Sequence, residues 1–344
     1  MISLANYYSE YIGYLKENRE KIRDALVIPE NSSRAELYAG LMEGNFFKLP
    51  EPLKPEAVVS ATDGSEFIRE LYNGMKIILT RAISITGKEE FLSSEISVKS
   101  VSRYSLQTYV TRCMEIQEHI SLEKCISERD VGIALLDGSA AGRLTASIEK
   151  IDGDDMENFP MKYKETVGKL LRTAKERGTR LVFVSKSSDS KAYKKQLLEG
   201  SRTLDQDEIR REYLNSITDH TIIKSIARFP GYSDPVITEK DMGALTVRMV
   251  TTHILPAMND TPMKVDIIFM EGETDMDSIT DRIIRMIVWG YSGLKIHNVW
   301  LSDVDRKVKF TREETEEVLM KAFERETGVI MPETRGERRA RIRI

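Results

Sequence analysis

Two triplets in this sequence join a carboxylate to a glycine at the end of an apolar run. Asp63-Gly64-Ser65 follows Ala57 to Thr62 (AVVSAT), and Asp137-Gly138-Ser139 follows Asp130 to Leu136 (DVGIALL). Each run is expected to form a buried strand that stops at its aspartate. A carboxylate there sits at the rim of the core, where ligands reach it, and the glycine lets the backbone turn sharply or approach a ligand closely. If the two strands are neighbours, the carboxylates stand side by side and repel, and a divalent cation relieves the repulsion. Hard oxygen ligands suit Mg²⁺ or Mn²⁺, and two such ions could clamp the attacking water and the leaving oxygen of a phosphodiester. Asp-Gly-Ser is also ordinary turn chemistry. Its repetition after two apolar strands brings the metal reading level with that one and leaves both open.

A third carboxylate has to come from elsewhere. Glu115 and Glu118 are three apart on a helix expected over 106–126, so they share a face, and that helix leads back to the Asp137 strand. Either could approach the same cleft, and either alone also reads as a solvated helix face. Phosphate contacts are expected from Lys186, Lys191, Lys194 and Lys195, after the apolar run RLVFVS, and from Arg143 just beyond Asp137. Tyr193, Phe229 and Tyr232 are candidate stacking platforms for unpaired bases.

The elements that must position these groups follow from periodicity. Leu4, Tyr7, Tyr8, Tyr11, Ile12 and Leu15 give residues 3–26 an amphipathic helical pattern. Residues 75–85 and 96–101 read as two strands after the first, giving an antiparallel meander. The helix over 106–126, the Asp137 strand, a helix over 159–177 ending at Gly178, and the strand 180–185 then alternate. Residues 190–217 read as helical, 244–251 and 263–270 as strands, and 275–291 and 312–327 as helices. The expected class is α/β, with a mixed sheet flanked by helices and a strand order compatible with an RNase H-like fold. The expected divisions are an N-terminal helical extension over 1–50, one domain over 51–330, and a basic tail over 331–344 that reads either as disordered or as a contact for DNA or a partner.

Composition narrows the partners. A net charge of −4 argues against broad, non-specific coating of nucleic acid, although a local basic groove remains compatible with it. Cys113 and Cys125 make neither a disulfide framework nor a CxxC metal pair. The N-terminus lacks the apolar core of a signal peptide, and no apolar run is long enough for a membrane span. The expected compartment is the cytoplasm.

The order of these motifs resembles a known family. VVSATDGSEF, a strand pair, a helix containing glutamate, and GIALLDGSAAGRL together resemble the NurA family of archaeal and bacterial nucleases. RLVFVSKSSDSK and the segment from Gly290 to His297 (GYSGLKIH) add to the resemblance, which runs over about residues 57–325. It implies an RNase H-like core in which Asp63, Asp137 and a helix glutamate, preferably Glu118 with Glu115 as the alternative, hold metal. It implies that His297 binds metal or assists with protons and that Tyr291 positions substrate. The family often has proline after this tyrosine and a longer spacing to the histidine, whereas here Ser292 follows Tyr291. The resemblance further implies a Mn²⁺-preferring 5′-to-3′ DNA exonuclease with single-strand endonuclease cleavage as a second capacity. It also implies a homodimer, and a partnership with the hexameric HerA translocase in resecting the DNA ends of double-strand breaks during repair.

Two other readings compete. Actin-like and sugar-kinase-like ATPases also use two Asp-Gly-Ser/Thr phosphate loops, but this chain has no Gly-Gly pair for the late adenosine-binding turn. A non-catalytic scaffold that guides DNA to a translocase could share the sequence if its metal site were degenerate, yet both aspartates and a helix glutamate are present.

Overall fold

The structure is a computed structural model and describes residues 4–144, 151–153, 156–241, 245–294 and 296–331. From residue 332 onward the arginine-rich tail lies outside the described residues, as do Ala244 and Lys295. The chain opens with α1 (Leu4–Glu17), α2 (Arg19–Leu26), α3 (Ser33–Met42) and a short β1 (Phe46–Lys48). The meander β2 (Val59–Glu70), β3 (Lys76–Thr86) and β4 (Glu89–Lys99) follows. Next come α4 (Leu106–Glu128), β5 (Ile133–Asp137), the one-turn α5 (Ala140–Arg143), α6 (Phe159–Arg177) and β6 (Arg180–Ser185). The second half holds α7 (Ala192–Glu199), α8 (Gln206–Leu214), α9 (Asp219–Ile226), β7 (Gly231–Ser233), β8 (Val236–Asp241), β9 (Thr246–Leu255) and β10 (Met263–Met270). It closes with α10 (Met276–Gly290), α11 (Val299–Val308), a π-helical turn (Glu313–Leu319) and α12 (Met320–Thr327).

The strands form one mixed sheet in the order β1-β7-β9-β10-β6-β5-β2-β3-β4, with β8 paired to β9. β2, β3 and β4 are antiparallel neighbours, and β5 and β6 join β2 in parallel. This part of the sheet is compatible with the RNase H-like order expected from the sequence. β10 then pairs antiparallel to β6 and carries the sheet on to β9.

Alternation along the strands sorts side chains between two faces. Ala134, Leu136, Leu181 and Phe183 pack with α4 and α6, whereas Leu135, Val182, Val184, Ala61 and Ile83 pack with α10 and α11. Two covered faces explain why β5 and β6 read as continuous apolar runs. α6 has proline in its first turn and ends on Gly178 at φ 67°, so its C-cap reads as expected. Residues 28–46 are built into the body, where Ile28, Tyr38 and Phe46 pack with Tyr193, Ile222 and Leu255.

Several boundaries differ from expectation. β2 does not stop at Asp63 but continues to Glu70, because β3 pairs with it along its whole length. The helical stretch 190–217 is broken after Gly200 and restarts at a capping box of Asp205 and Glu208. α11 was not anticipated, although Asn298 caps it through its side chain. Among the described residues, no helix is long and apolar enough to cross a membrane.

Candidate metal centre

β2 and β5 are adjacent and parallel, with Thr62 opposite Leu136, so Asp63 and Asp137 lie at the same level of the sheet. Their neighbours Ala61 and Leu135 belong to the α10–α11 face, and alternation places both aspartates on that face. Asp63 is buried inside the strand, and its Oδ1 accepts a 2.8 Å hydrogen bond from the Gly64 amide. Asp137 ends β5 and is more open, with the Lys186 ammonium 3.3 Å from its Oδ2. A strand conformation through Asp63-Gly64-Ser65 leaves no phosphate loop there, which removes the main feature of the actin-like reading.

Glu118 arrives from the opposite face on α4, and the missing side chain of Gly64 makes its approach possible. A Cβ at position 64 would lie 2.5 Å from Met114 Cγ and 2.7 Å from Glu118 Oε1. The other oxygen, Oε2, is bound by Arg143 Nη1, and Arg143 Nη2 donates to the Asp137 carbonyl at 2.7 Å. Burial opposes the charge on Arg143, but Glu118 and Glu115 outweigh it and hold the guanidinium charged. Arg143 thus ties the helix carboxylate to the Asp137 turn. It does not face a phosphate groove, as the sequence had suggested, because it is buried between carboxylates.

The Glu115 carboxylate lies elsewhere. Its Oε2 accepts from Tyr163 Oη at 2.6 Å and from Arg112 Nη1 at 2.7 Å, which occupies the group. Of the two helix glutamates, Glu118 is the one beside Asp63.

Electrostatics mark this cluster as one that favours a cation. Burial, then the charges of Glu118 and Asp137, push Asp63 up to about 8. Burial lifts Glu118 to about 7 against the pull of Arg143. Asp63 and Glu118, buried beside one another, therefore resist ionisation unless positive charge is supplied. Among the described residues, no three His, Cys, Asp or Glu side chains already converge on one point. Asp137 is turned toward Lys186, and Glu118 toward Arg143. The donor set still fits a hard divalent ion: three carboxylates, with protein cations beside two of them.

A pH dependence follows. The folded-state value of Asp63 is raised from 3.8 to about 8, so the native state holds its proton more tightly than the unfolded chain. Metal-free protein is expected to lose stability as pH rises through that window, with the full loss present above it. Asp63→Asn should remove the Asp63 share of this slope in denaturant unfolding, most visibly between pH 7 and 9, above the values of Glu118 at about 7 and Asp219 at about 6. An identical slope in the variant would show that Asp63 does not carry it.

The remaining candidates divide. His297 lies in the turn before α11. Burial, then Lys186, lower its pKa, while Asp137, Asp260 and Asp305 act in the other direction. Its Nε2 has no hydrogen-bond partner among the described residues. Tyr291 caps α10 rather than continuing its apolar face, and its hydroxyl donates to Asp260 Oδ2 at 2.9 Å. Burial and Asp260 raise Tyr291 to about 12.

Lys194 is fully buried, with Nζ donating to Asn215 Oδ1 at 2.6 Å and to the Ile217 carbonyl at 3.1 Å. It therefore lines no groove, contrary to expectation. Lys191 is likewise engaged, donating to the Asn215 carbonyl at 2.5 Å. Tyr193 is buried with its hydroxyl on the Asn45 carbonyl, and Phe229 packs on Phe46, so neither offers a free stacking face.

The sequence reading missed residues on α11 and β10. Lys309 Nζ is 2.7 Å from Asp305 Oδ2, and the next residue, Phe310, donates its amide to Ser65 Oγ at 3.3 Å. Arg81 on β3 pins the same turn through the Val308 and Lys309 carbonyls. The Asp305–Lys309 pair looked like any exposed i,i+4 pair, so nothing in the sequence signalled it. Lys264 and Asp266 on β10 were passed over as well, although two charges in an otherwise apolar strand are a signal that could have found them.

The NurA domain family matches residues 57–310. The chain belongs to the NurA family. This NurA chain is similar to the NurA nuclease crystal structure from Sulfolobus solfataricus, with TM-score 0.65 and 14% identity over 95% of this chain and 99% of that one. It is similar to a NurA crystal structure with manganese at TM-score 0.55 and 12% identity, over 92% of this chain and 97% of that one. A NurA structure bound to dAMP and manganese matches at TM-score 0.53 and 12% identity, over 94% and 98% of the two chains. At these identities the likeness is one of fold. A comparison with curated protein sequences gives no match.

Proposed function

We propose that this NurA-family protein is a divalent-metal-dependent deoxyribonuclease whose metal ligands are Asp63, Asp137 and Glu118. The observation that carries this reading is the side-by-side placement of Asp63 and Asp137 on parallel neighbours, with Asp63 held up to about 8 by burial and by the Glu118 and Asp137 charges. The fold it shares with NurA structures holding manganese, one of them with dAMP, supports it. A bound ion would supply water activation and neutralise charge at the phosphodiester. Arg143 works against the effect of burial on Glu118 and ties it to the Asp137 turn. His297, kept neutral near pH 7 by burial and Lys186, offers a ring nitrogen for metal or for a proton. Tyr291, held by Asp260, orients substrate.

The finer reading rests on the family resemblance. It comprises Mn²⁺ preference with two ions per site, 5′-to-3′ exonuclease action with single-strand endonuclease cleavage, a homodimer, a cytoplasmic location, and work with a HerA-type hexameric translocase at DNA ends. The deciding experiment incubates the purified chain with end-labelled single- and double-stranded DNA in Mn²⁺, Mg²⁺ or EDTA. Cleavage that EDTA abolishes is expected, and cleavage indifferent to EDTA would sink the metal reading.

Lys186 is half-exposed beside Asp137 and is the group best placed to meet a substrate phosphate. Lys186→Ala should weaken DNA binding alike on all sequences and reduce the slope of log K against log salt by about 1. An unchanged salt slope would remove Lys186 from the interface.

A further inference from the structure

β10 carries a buried ion pair in a strand that is otherwise apolar. Lys264 is 3% exposed and Asp266 is 1% exposed, and the two sit two residues apart on the α4–α6 side of the sheet. Lys264 Nζ lies 2.7 Å from Asp266 Oδ2 and donates to Ser139 Oγ at 2.7 Å. Ser139 Oγ in turn donates to Asp266 Oδ2 at 3.2 Å, and the Ala140 amide donates to the same oxygen at 3.0 Å. Thr251 on β9 holds the other oxygen, Oδ1, at 2.7 Å.

A buried ion pair is costly to desolvate, and well-packed apolar residues of similar volume commonly hold a strand as well or better. What apolar residues could not do is bond the Ser139 hydroxyl and the Ala140 amide. Those two groups belong to the turn that follows Asp137. The same turn is tied from other directions: Gly138 donates its amide to the Val184 carbonyl at 3.0 Å, and Arg143 grips the Asp137 carbonyl. Gly138 has φ 101°, a conformation disfavoured for other residues, so the turn needs external ties to hold one shape. The chain here leaves the α10–α11 face at Asp137 and enters the α4–α6 face at Ala140. Its path decides where the Asp137 carboxylate stands.

We infer that the Lys264–Asp266 pair is a positioning device for Asp137, fixing the turn 138–140 so that this carboxylate stays level with Asp63. The inference rests on the proposed reading of Asp63 and Asp137 as metal ligands only for its consequence, since the bracing itself needs no metal. Outer partners that orient a ligand commonly change metal affinity or activity by about 10- to 100-fold when removed.

Two variants of the full chain test it. Asp266→Asn removes the charge and one acceptor, and the double variant Lys264→Met with Asp266→Leu replaces the pair by apolar bulk and guards against simple misfolding. In metal-free protein, amide hydrogen exchange in the peptide covering 137–142 should quicken in both variants, while the β2–β3 hairpin stays protected. Calorimetric titration with Mn²⁺ alone should show weakening by about 10- to 100-fold. Exchange at 137–142 that matches the wild type in a folded double variant overturns the inference, whatever the metal does. Wild-type Mn²⁺ affinity in a variant with a loosened turn overturns the link to Asp137. If the wild-type chain itself binds no Mn²⁺ but the turn still loosens in the variants, the brace stands and the metal reading falls.

Discussion

Asp63→Asn and Asp137→Asn are each expected to lower metal-dependent DNA cleavage by about 10³-fold or more while leaving the fold intact. Asparagine keeps the shape and one acceptor oxygen but removes the charge that a divalent ion needs, and a ligated ion accounts for several kcal/mol of transition-state stabilisation. At about 1.4 kcal/mol per tenfold, that corresponds to roughly three orders of magnitude in rate. The two variants should differ in stability. Asp63 is buried against Glu118 and Asp137, so its neutral replacement relieves a repulsion present in metal-free protein at high pH. Asp63→Asn should therefore unfold at higher denaturant concentration than the wild type near pH 9, even as activity disappears. Added Mn²⁺ should raise the wild-type melting temperature and leave the variant's unchanged, as expected of a ligand that binds only the native state. Full cleavage by either variant, in a preparation free of wild-type enzyme, would refute the assignment.

Gly64→Ala should damage both stability and activity, although it adds a single methyl group. The new Cβ would meet Met114 Cγ at 2.5 Å and Glu118 Oε1 at 2.7 Å, closer than real contacts of this kind. Met114 can shift, but Glu118 is held by Arg143 and buried on α4. Relief therefore requires α4 to move from the sheet or Glu118 to leave its partner. Overpacking of this kind costs about 1–3 kcal/mol. A displacement of catalytic groups by about 1 Å commonly costs about 100-fold in rate. Thermal unfolding and kcat at saturating Mn²⁺, measured on one preparation, read the two effects separately. Gly40→Ala is the control, since a Cβ on that helical glycine meets nothing within 4 Å. It should be neutral or slightly stabilising. Wild-type activity in Gly64→Ala would mean that Glu118 does not need its place against β2.

The first prediction depends on Asp63 and Asp137, the two residues that were most legible. Each ended or interrupted an apolar run, and that signal survives in the structure, where β2 and β5 are buried neighbours. The meander, the α4 helix and the alternation of β5, α6 and β6 were also readable, because periodicity records which face of each element is buried. The end of β2 was not. Asp-Gly-Ser has turn propensity, but pairing with β3 along eleven residue positions overrides it. Glu115 and Glu118 share a helix face, so local sequence could not choose between them. Tyr163 and Arg112, distant in the chain from β2, occupy the first, and Gly64 leaves room for the second.

The lysines after β6 show the same limit. Lys186 and Lys194 look equally suited to phosphate in a basic run, yet one stands beside Asp137 and the other is buried on Asn215 and Ile217. Charge is a property of the residue, whereas exposure belongs to the packed chain. The class of fold and the carboxylate chemistry are readable before folding, since both follow from residue type and spacing along single elements. Packing selects which glutamate approaches and which cations face the site, and it brings Lys264 and Asp266 to the Asp137 turn. Those outcomes depend on contacts between segments far apart in the chain, and no local pattern encodes them.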